Sequence, residues 1–192
     1  PEPTETAVRE QLKGLPLSFQ ENQGQTDELV KYVMRGSSQS IFFTQDAVVY
    51  SFTKQNGTVP SNDPLTDSPE PVQPTEMLAI RQAFVGASLA VVSGEEELPG
   101  KVNYFIGNDK DKWKSGIPTY AGVKYTGLYD GVDVLYAGKQ GVLTYEYRVA
   151  ASVSPAAIVS AFEGIDGLTV AEDGSLSMET AFGTIGVRRP SA

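Results

Sequence analysis

The chain contains neither cysteine nor histidine in its 192 residues. Without cysteine there is no disulfide, no thiol nucleophile and no thiolate metal ligand, and the redox compartment cannot be read from cysteine usage. Without histidine, no Ser-His-Asp triad, Cys-His pair or imidazole-liganded zinc or iron site can be assembled. Positive charge is also short, with 15 lysines and arginines against 24 acidic residues and a net charge of -9. Such a chain repels a phosphate backbone instead of releasing its counterions, so nucleic acid is not an expected partner. Long apolar runs are missing too. Nothing approaches the ~18 consecutive apolar residues that cross a bilayer, the best stretch being Ala87 to Val92. No membrane span and no cofactor is expected. The first residue is Pro1, with no basic-then-apolar leader, so this end neither shows nor excludes export.

What is present is material for one substantial core, since 40% of the residues are hydrophobic. Residues 1–14 read as a peripheral N-terminal segment, in which Thr4 caps a short helix through Ala7, Val8 and Leu12 that stops at Gly14. Residues 15–190 read as a single β domain. Short β-rich runs follow at Leu15 to Phe19, Leu29 to Arg35, Ser40 to Thr44 and Ala47 to Thr53, where Val48, Tyr50 and Phe52 share a face. Asn56-Gly57 is a turn, and with it begins a proline-rich loop over 56–75 holding Pro60, Pro64, Pro69, Pro71 and Pro74. Met77 to Val85 resumes an extended pattern. Glu95-Glu96-Glu97 is expected in a solvent-facing connection and lacks the alternating ligand spacing of a calcium loop, so no metal site is assigned.

The second half has the clearest periodicity. Leu143, Tyr145, Tyr147 and Val149 alternate with Thr144, Glu146 and Arg148, the pattern of a half-buried strand. Val132, Val134 and Tyr136 form a matching face upstream, and the connection Ala137 to Gly141 has hairpin length. Ser154-Pro155 starts a single helical turn, followed by a strand through Phe162. Asp173-Gly174 divides Leu168 to Ala171 from Leu176 to Thr180 as a hairpin, and Ile185 to Arg188 closes the sheet. The expected fold is all-β, an antiparallel two-sheet sandwich with a partly closed barrel as the alternative.

Few groups carry chemistry. Asn108, Asp109 and Asp111 beside the single Trp113 offer oxygen ligands and an indole that stacks on a sugar, while the plainer reading is a turn. Asp130 and Asp133 flank Gly131 and Val132, a carboxylate pair of the kind glycosidases use, but Asp130-Gly131 also turns a chain and Asp133 also accepts backbone N–H bonds. Tyr120, Tyr125, Tyr129, Tyr136, Tyr145 and Tyr147 offer a sugar-stacking platform or, at strand spacing, a core. The weak ligand-binding candidates are therefore Trp113, Tyr120, Tyr125, Asp109 and Asp111, and no catalytic residue is assigned.

Four fragments carry a resemblance: LPLSFQENQGQTDELVKYVMRG at 15–36, LPGKVNYFIGNDKDKW at 98–113, GLYDGVDVLYAGKQGVLTYEYRV at 127–149 and DGSLSMETAFGTI at 173–185. Together the chain resembles the uncharacterised N-terminal domain of bacterial exported proteins that often carry seven-bladed β-propeller (SBBP) repeats. Glu146, and Ala151-Ser152 before the Ser154-Pro155 turn, depart from that pattern. The resemblance implies a secreted or cell-surface module lying ahead of repeat domains, with no catalytic or ligand residue to carry over. The functional expectation is a non-catalytic structural or interaction module whose partners are neighbouring domains of the same polypeptide, or a cell-surface protein or glycan. Its rivals are a carbohydrate-binding module and a carboxylate-dependent glycan hydrolase.

Overall fold

The computed structural model describes residues 17–36, 38–55, 75–105, 107–139 and 141–189. The short N-terminal helix and nearly all of the proline-rich loop lie outside them. Among the described residues thirteen strands form: β1 (Phe19–Glu21), β2 (Tyr32–Arg35), β3 (Gln39–Phe43), β4 (Ala47–Gln55), β5 (Thr75–Phe84), β6 (Val91–Tyr104), β7 (Lys114–Tyr129), β8 (Val132–Lys139), β9 (Val142–Val149), β10 (Ser160–Glu163), β11 (Gly167–Val170), β12 (Leu176–Thr180) and β13 (Gly183–Val187). Two single 3₁₀ turns, Lys110–Lys112 and Pro155–Ala157, are the helical elements among the described residues. The protein is all-β, and every pairing is antiparallel.

Ten strands belong to one hydrogen-bonded sheet and β11–β13 to a second, small one. The large sheet turns on β7. Tyr120 pairs with Glu97 of β6 on one edge and Phe19 of β1 on the other, while Val123 pairs with Gly94 of β6 and Tyr136 of β8. β6 thus runs along one edge of β7, and β1 and β8 share the opposite edge in succession. Two arms leave that edge, β1-β2-β3-β4-β5-β10 and β8-β9, and curl toward each other. The large sheet bends over its own contents as a half-barrel, nearer the partly closed barrel named as the alternative than a sandwich of two equal sheets, because a 16-residue strand is long enough to pair with two neighbours end to end.

The alternation of side chains decides what fills the space. Phe19, Met34, Ile41, Phe43 and Val48 from one arm meet Val123, Tyr125, Val132, Val134 and Tyr136 from β7 and β8 in a single buried cluster. The rings meet edge to face: Phe43 with Tyr136 at 5.3 Å and Phe84 with Tyr125 at 5.4 Å between centroids. Each large buried aromatic contributes about 2–3 kcal/mol by removal from water. Buried hydroxyls need partners, and Tyr125 donates to the Ala47 carbonyl at 3.3 Å while Tyr129 donates to that of Val159 at 2.8 Å. The Tyr136 hydroxyl is bound to no backbone group among the described residues.

The small sheet has one apolar face. Leu168 lies opposite Met178, Val170 opposite Leu176, and Met178 opposite Ile185. Met178 and Ile185 sit over Tyr50, Phe52, Ile80 and Phe162 of the large sheet and leave a cavity of about 80 Å³ between them. Glu95, Glu96 and Glu97 are not in a connection as expected but inside β6, where Glu95 and Glu97 pair with Gly122 and Tyr120 and Glu96 has a left-handed φ of 54°. The acidic run is the solvated edge of a strand whose far edge is held by β7.

Candidate functional site

An open groove lies where the loop after β1 faces the outer end of the β6–β7 hairpin. The loop is built around Asn22. Its carboxamide oxygen accepts from the Gly24 and Thr26 amides at 3.1 and 3.3 Å, and its nitrogen donates to the Asp27 and Val30 carbonyls at 2.7 and 2.8 Å. This is an Asx turn extended to hold a whole loop, with Gly24 at φ 96° supplying the left-handed step. Gln25 adds a brace, its Oε1 accepting from the Gln23 amide and its Nε2 donating to the Glu21 carbonyl at 2.6 Å.

The opposite wall is fixed as tightly. Asp109 caps the 3₁₀ turn by accepting from the Asp111 amide at 3.1 Å, and the Trp113 indole donates to the Gly107 carbonyl at 3.1 Å. Asn103 Oδ1 accepts from the Gly116 amide at 2.8 Å. The Tyr104 hydroxyl donates to Gln20 Oε1 and accepts from Arg35 Nε at 3.0 Å, and the Arg35 guanidinium lies 5.7 Å from the Tyr104 ring centre. Between the walls is an open cavity of about 360 Å³ lined by Gly24, Gln25, Tyr104, Asp111, Lys112 and Lys114. That volume is in the range of small-molecule sites, about 300–1,000 Å³. It has two ammonium groups, one carboxylate, a phenol and a primary amide, which is recognition chemistry without a nucleophile–base pair.

The predicted residues separate into three places. Asp109, Asp111 and Trp113 come together at the hairpin end, and the expected turn is there, but of the three only Asp111 lines the groove. Trp113 is 36% exposed and stands edge-on to Phe105 at 5.3 Å, with Lys110 5.8 Å from its ring centre. Tyr104 and Lys114 face each other across the ribbon, so the next positions, Phe105 and Trp113, point to its other side. Tyr120 is half-buried, stacked edge-on against Tyr32 at 5.7 Å. Tyr125, expected among the ligand contacts, is instead fully buried in the core, because its ring sits between the two arms. Tyr129 and Tyr136 are buried with it, and Tyr145 and Tyr147 flank the core on β9.

The carboxylate pair is also divided. Asp130 is exposed in the turn before Gly131, whose φ is 70°. Asp133 accepts from the Gly127 amide at 2.8 Å and pairs with Lys124 at 3.1 Å. These contacts, the backbone bond first, hold its carboxyl below the usual range. Such a group stays ionised and fastens the irregular stretch of β7 between Tyr125 and Tyr129. Gln25, Tyr104, Lys112 and Lys114 were missed in the sequence; the signal for the Gln25 wall was the Asn22–Gly24 turn, which reads as punctuation until the hairpin carrying Tyr104, Lys112 and Lys114 is known to face it.

No helix among the described residues is long and apolar enough to cross a membrane. No curated protein and no solved structure matches the chain. The model of an uncharacterised family, the domain of unknown function DUF7948, matches residues 19–192, nearly the whole chain, and the protein belongs to that family.

Proposed function

We propose that this domain is a non-catalytic extracytoplasmic interaction module, placed among the other domains of an exported bacterial protein such as SBBP repeats, with the groove between the Asn22 loop and the β6–β7 hairpin as its contact surface. One observation carries the reading: the side chains that would do chemistry are engaged in holding backbone. Asp109 caps a turn, Asp133 ties down Gly127, and Tyr125 braces β4. A hydrolase acid needs a raised pKa, and Asp133 has a lowered one. The preorganised groove walls support recognition, since a surface that needs no ordering on contact keeps more of its binding energy.

A second reading, a carbohydrate-binding module working through a stacked ring, is favoured by the exposed Phe105–Trp113 pair. Two measurements on the chain joined to its natural neighbouring domain separate the readings. Thermal unfolding is expected to show a higher midpoint for the joined form than for the domain alone, with no release of reducing sugar from a glycan panel. Cleavage abolished by Asp133→Asn would overturn the non-catalytic reading, and glycan binding abolished by Trp113→Ala would establish the ring platform.

A further inference from the structure

Cations are scarce in this chain, yet Lys112 and Lys114 both line the groove, with Arg35 stacked behind its Tyr104 wall. Lys112 pairs with Asp109 at 3.4 Å, an exposed contact that yields readily to a ligand; among the described residues Lys114 has no ion pair. Lys114 passes beside Gly24, where an added Cβ would come within 3.4 Å of the lysine Cε and 3.6 Å of its Nζ, so the end of the lysine lies next to the Asn22 loop in the cavity lining. Asp111 is the single carboxylate in the lining.

This mixture constrains the ligand. A densely charged chain carrying several sulfates or phosphates per repeat meets Asp111 and the net charge of -9, and is repelled more strongly than a chain with one carboxylate per sugar. A neutral sugar leaves the Lys114 ammonium without a counter-charge and gains nothing from Lys112 beyond its exposed pair with Asp109. A sugar acid satisfies both, since one carboxylate takes the lysines while ring hydroxyls donate to Asp111 and bond with the Tyr104 phenol and the Gln25 amide. We infer that the groove is a binding site for a uronic-acid residue of an acidic polysaccharide. The assignment rests on the interaction-module reading and deepens it by naming the chemical class of the partner.

Calorimetric titration of the full chain with trigalacturonate, maltotriose and hexaglutamate tests it. Trigalacturonate is expected to bind and maltotriose not to. The double variant Lys112→Ala, Lys114→Ala is expected to weaken trigalacturonate binding by about tenfold or more, the usual effect of losing a charge-assisted bond. Asp111→Asn separates sugar recognition from simple attraction of anions: it is expected to weaken trigalacturonate and to strengthen any residual hexaglutamate binding. Both lysines and Asp111 are at the surface, and a circular dichroism melt verifies that each variant folds. No binding of trigalacturonate at millimolar concentration, equal binding of hexaglutamate, or unchanged affinity of the double variant would overturn the assignment. A stabilising neighbouring domain together with no sugar binding would remove the uronate and leave the interaction-module reading standing.

Discussion

Asp133 illustrates how one side chain is committed to architecture. Its carboxylate closes a bond to the Gly127 amide and an ion pair to Lys124, in a setting where both side chains are mostly covered, at 29% and 24% exposure. Because the folded pKa lies below the unfolded value of about 3.9, the group stabilises the fold above that pH and loses its contribution as pH falls through the lower, folded value. Asp133→Asn keeps an acceptor for Gly127 but removes the charge. Urea unfolding across a pH series is expected to show a loss of about 1 kcal/mol at neutral pH that shrinks toward zero in acid below the carboxylate range. A loss that does not change with pH would mean that the charge has no part in it. The hydroxyl of Tyr136 is the opposite case, enclosed by the core beside that of Tyr50 and bound to no backbone group among the described residues, its titration pushed well up chiefly by burial.

Individual strands show which patterns a sequence carries openly. β8 and β9 were legible because Val132, Val134 and Tyr136 oppose Val149, Tyr147 and Tyr145 in unbroken register. The β11–β12 hairpin was legible for the same reason, with Gly174 at φ 82° in its turn. β6 and β7 were not. Gly94, Pro99-Gly100, Gly116, Pro118, Gly122 and Gly127 read as breaks, whereas Gly94, Pro118 and Gly122 pair within the ladder and Pro99-Gly100, Gly116 and Gly127 are absorbed by register shifts between Leu98 and Lys101, Val102 and Tyr104, and Tyr125 and Tyr129. Gly122 is required by crowding, since a Cβ there would lie 2.8 Å from the Tyr136 carbonyl oxygen. The acidic run was misplaced by the same effect, because glycines beside it hide a 14-residue strand. At the exit of β10, Gly164 has φ +81°, and a Cβ there would fall 2.1 Å from the Ala79 carbonyl oxygen. Gly164→Ala combines a left-handed backbone with a backbone collision and is expected to cost about 3 kcal/mol or more. A chemical melt reads this directly, and a loss below about 1 kcal/mol, the scale of a tolerated Gly→Ala change, would mean that β10 is not docked on β5 as described.

In the molecule as a whole, the two arms of the large sheet divide the chain's chemistry between an interior and a groove. The aromatics between the arms are consumed in the core, and several of the polar groups a reader of the sequence singles out are consumed in turns. The groove joins residues about ninety positions apart, Gly24 and Gln25 with Lys112 and Lys114. No local pattern relates them, since β1 reaches β7 only through long-range pairing of Phe19 with Tyr120 and Gln20 with Thr119. Trp113 and Asp111 were therefore found as residues and not as a site. The most direct measurement is an amide-resolved NMR titration of the full chain with trigalacturonate. Shifts confined to residues 22–27 and 104–114 are predicted. Shifts centred on Asp130 and Asp133, or on Tyr145 and Tyr147 at the β9 edge, would contradict the division of labour argued above and place the working surface elsewhere.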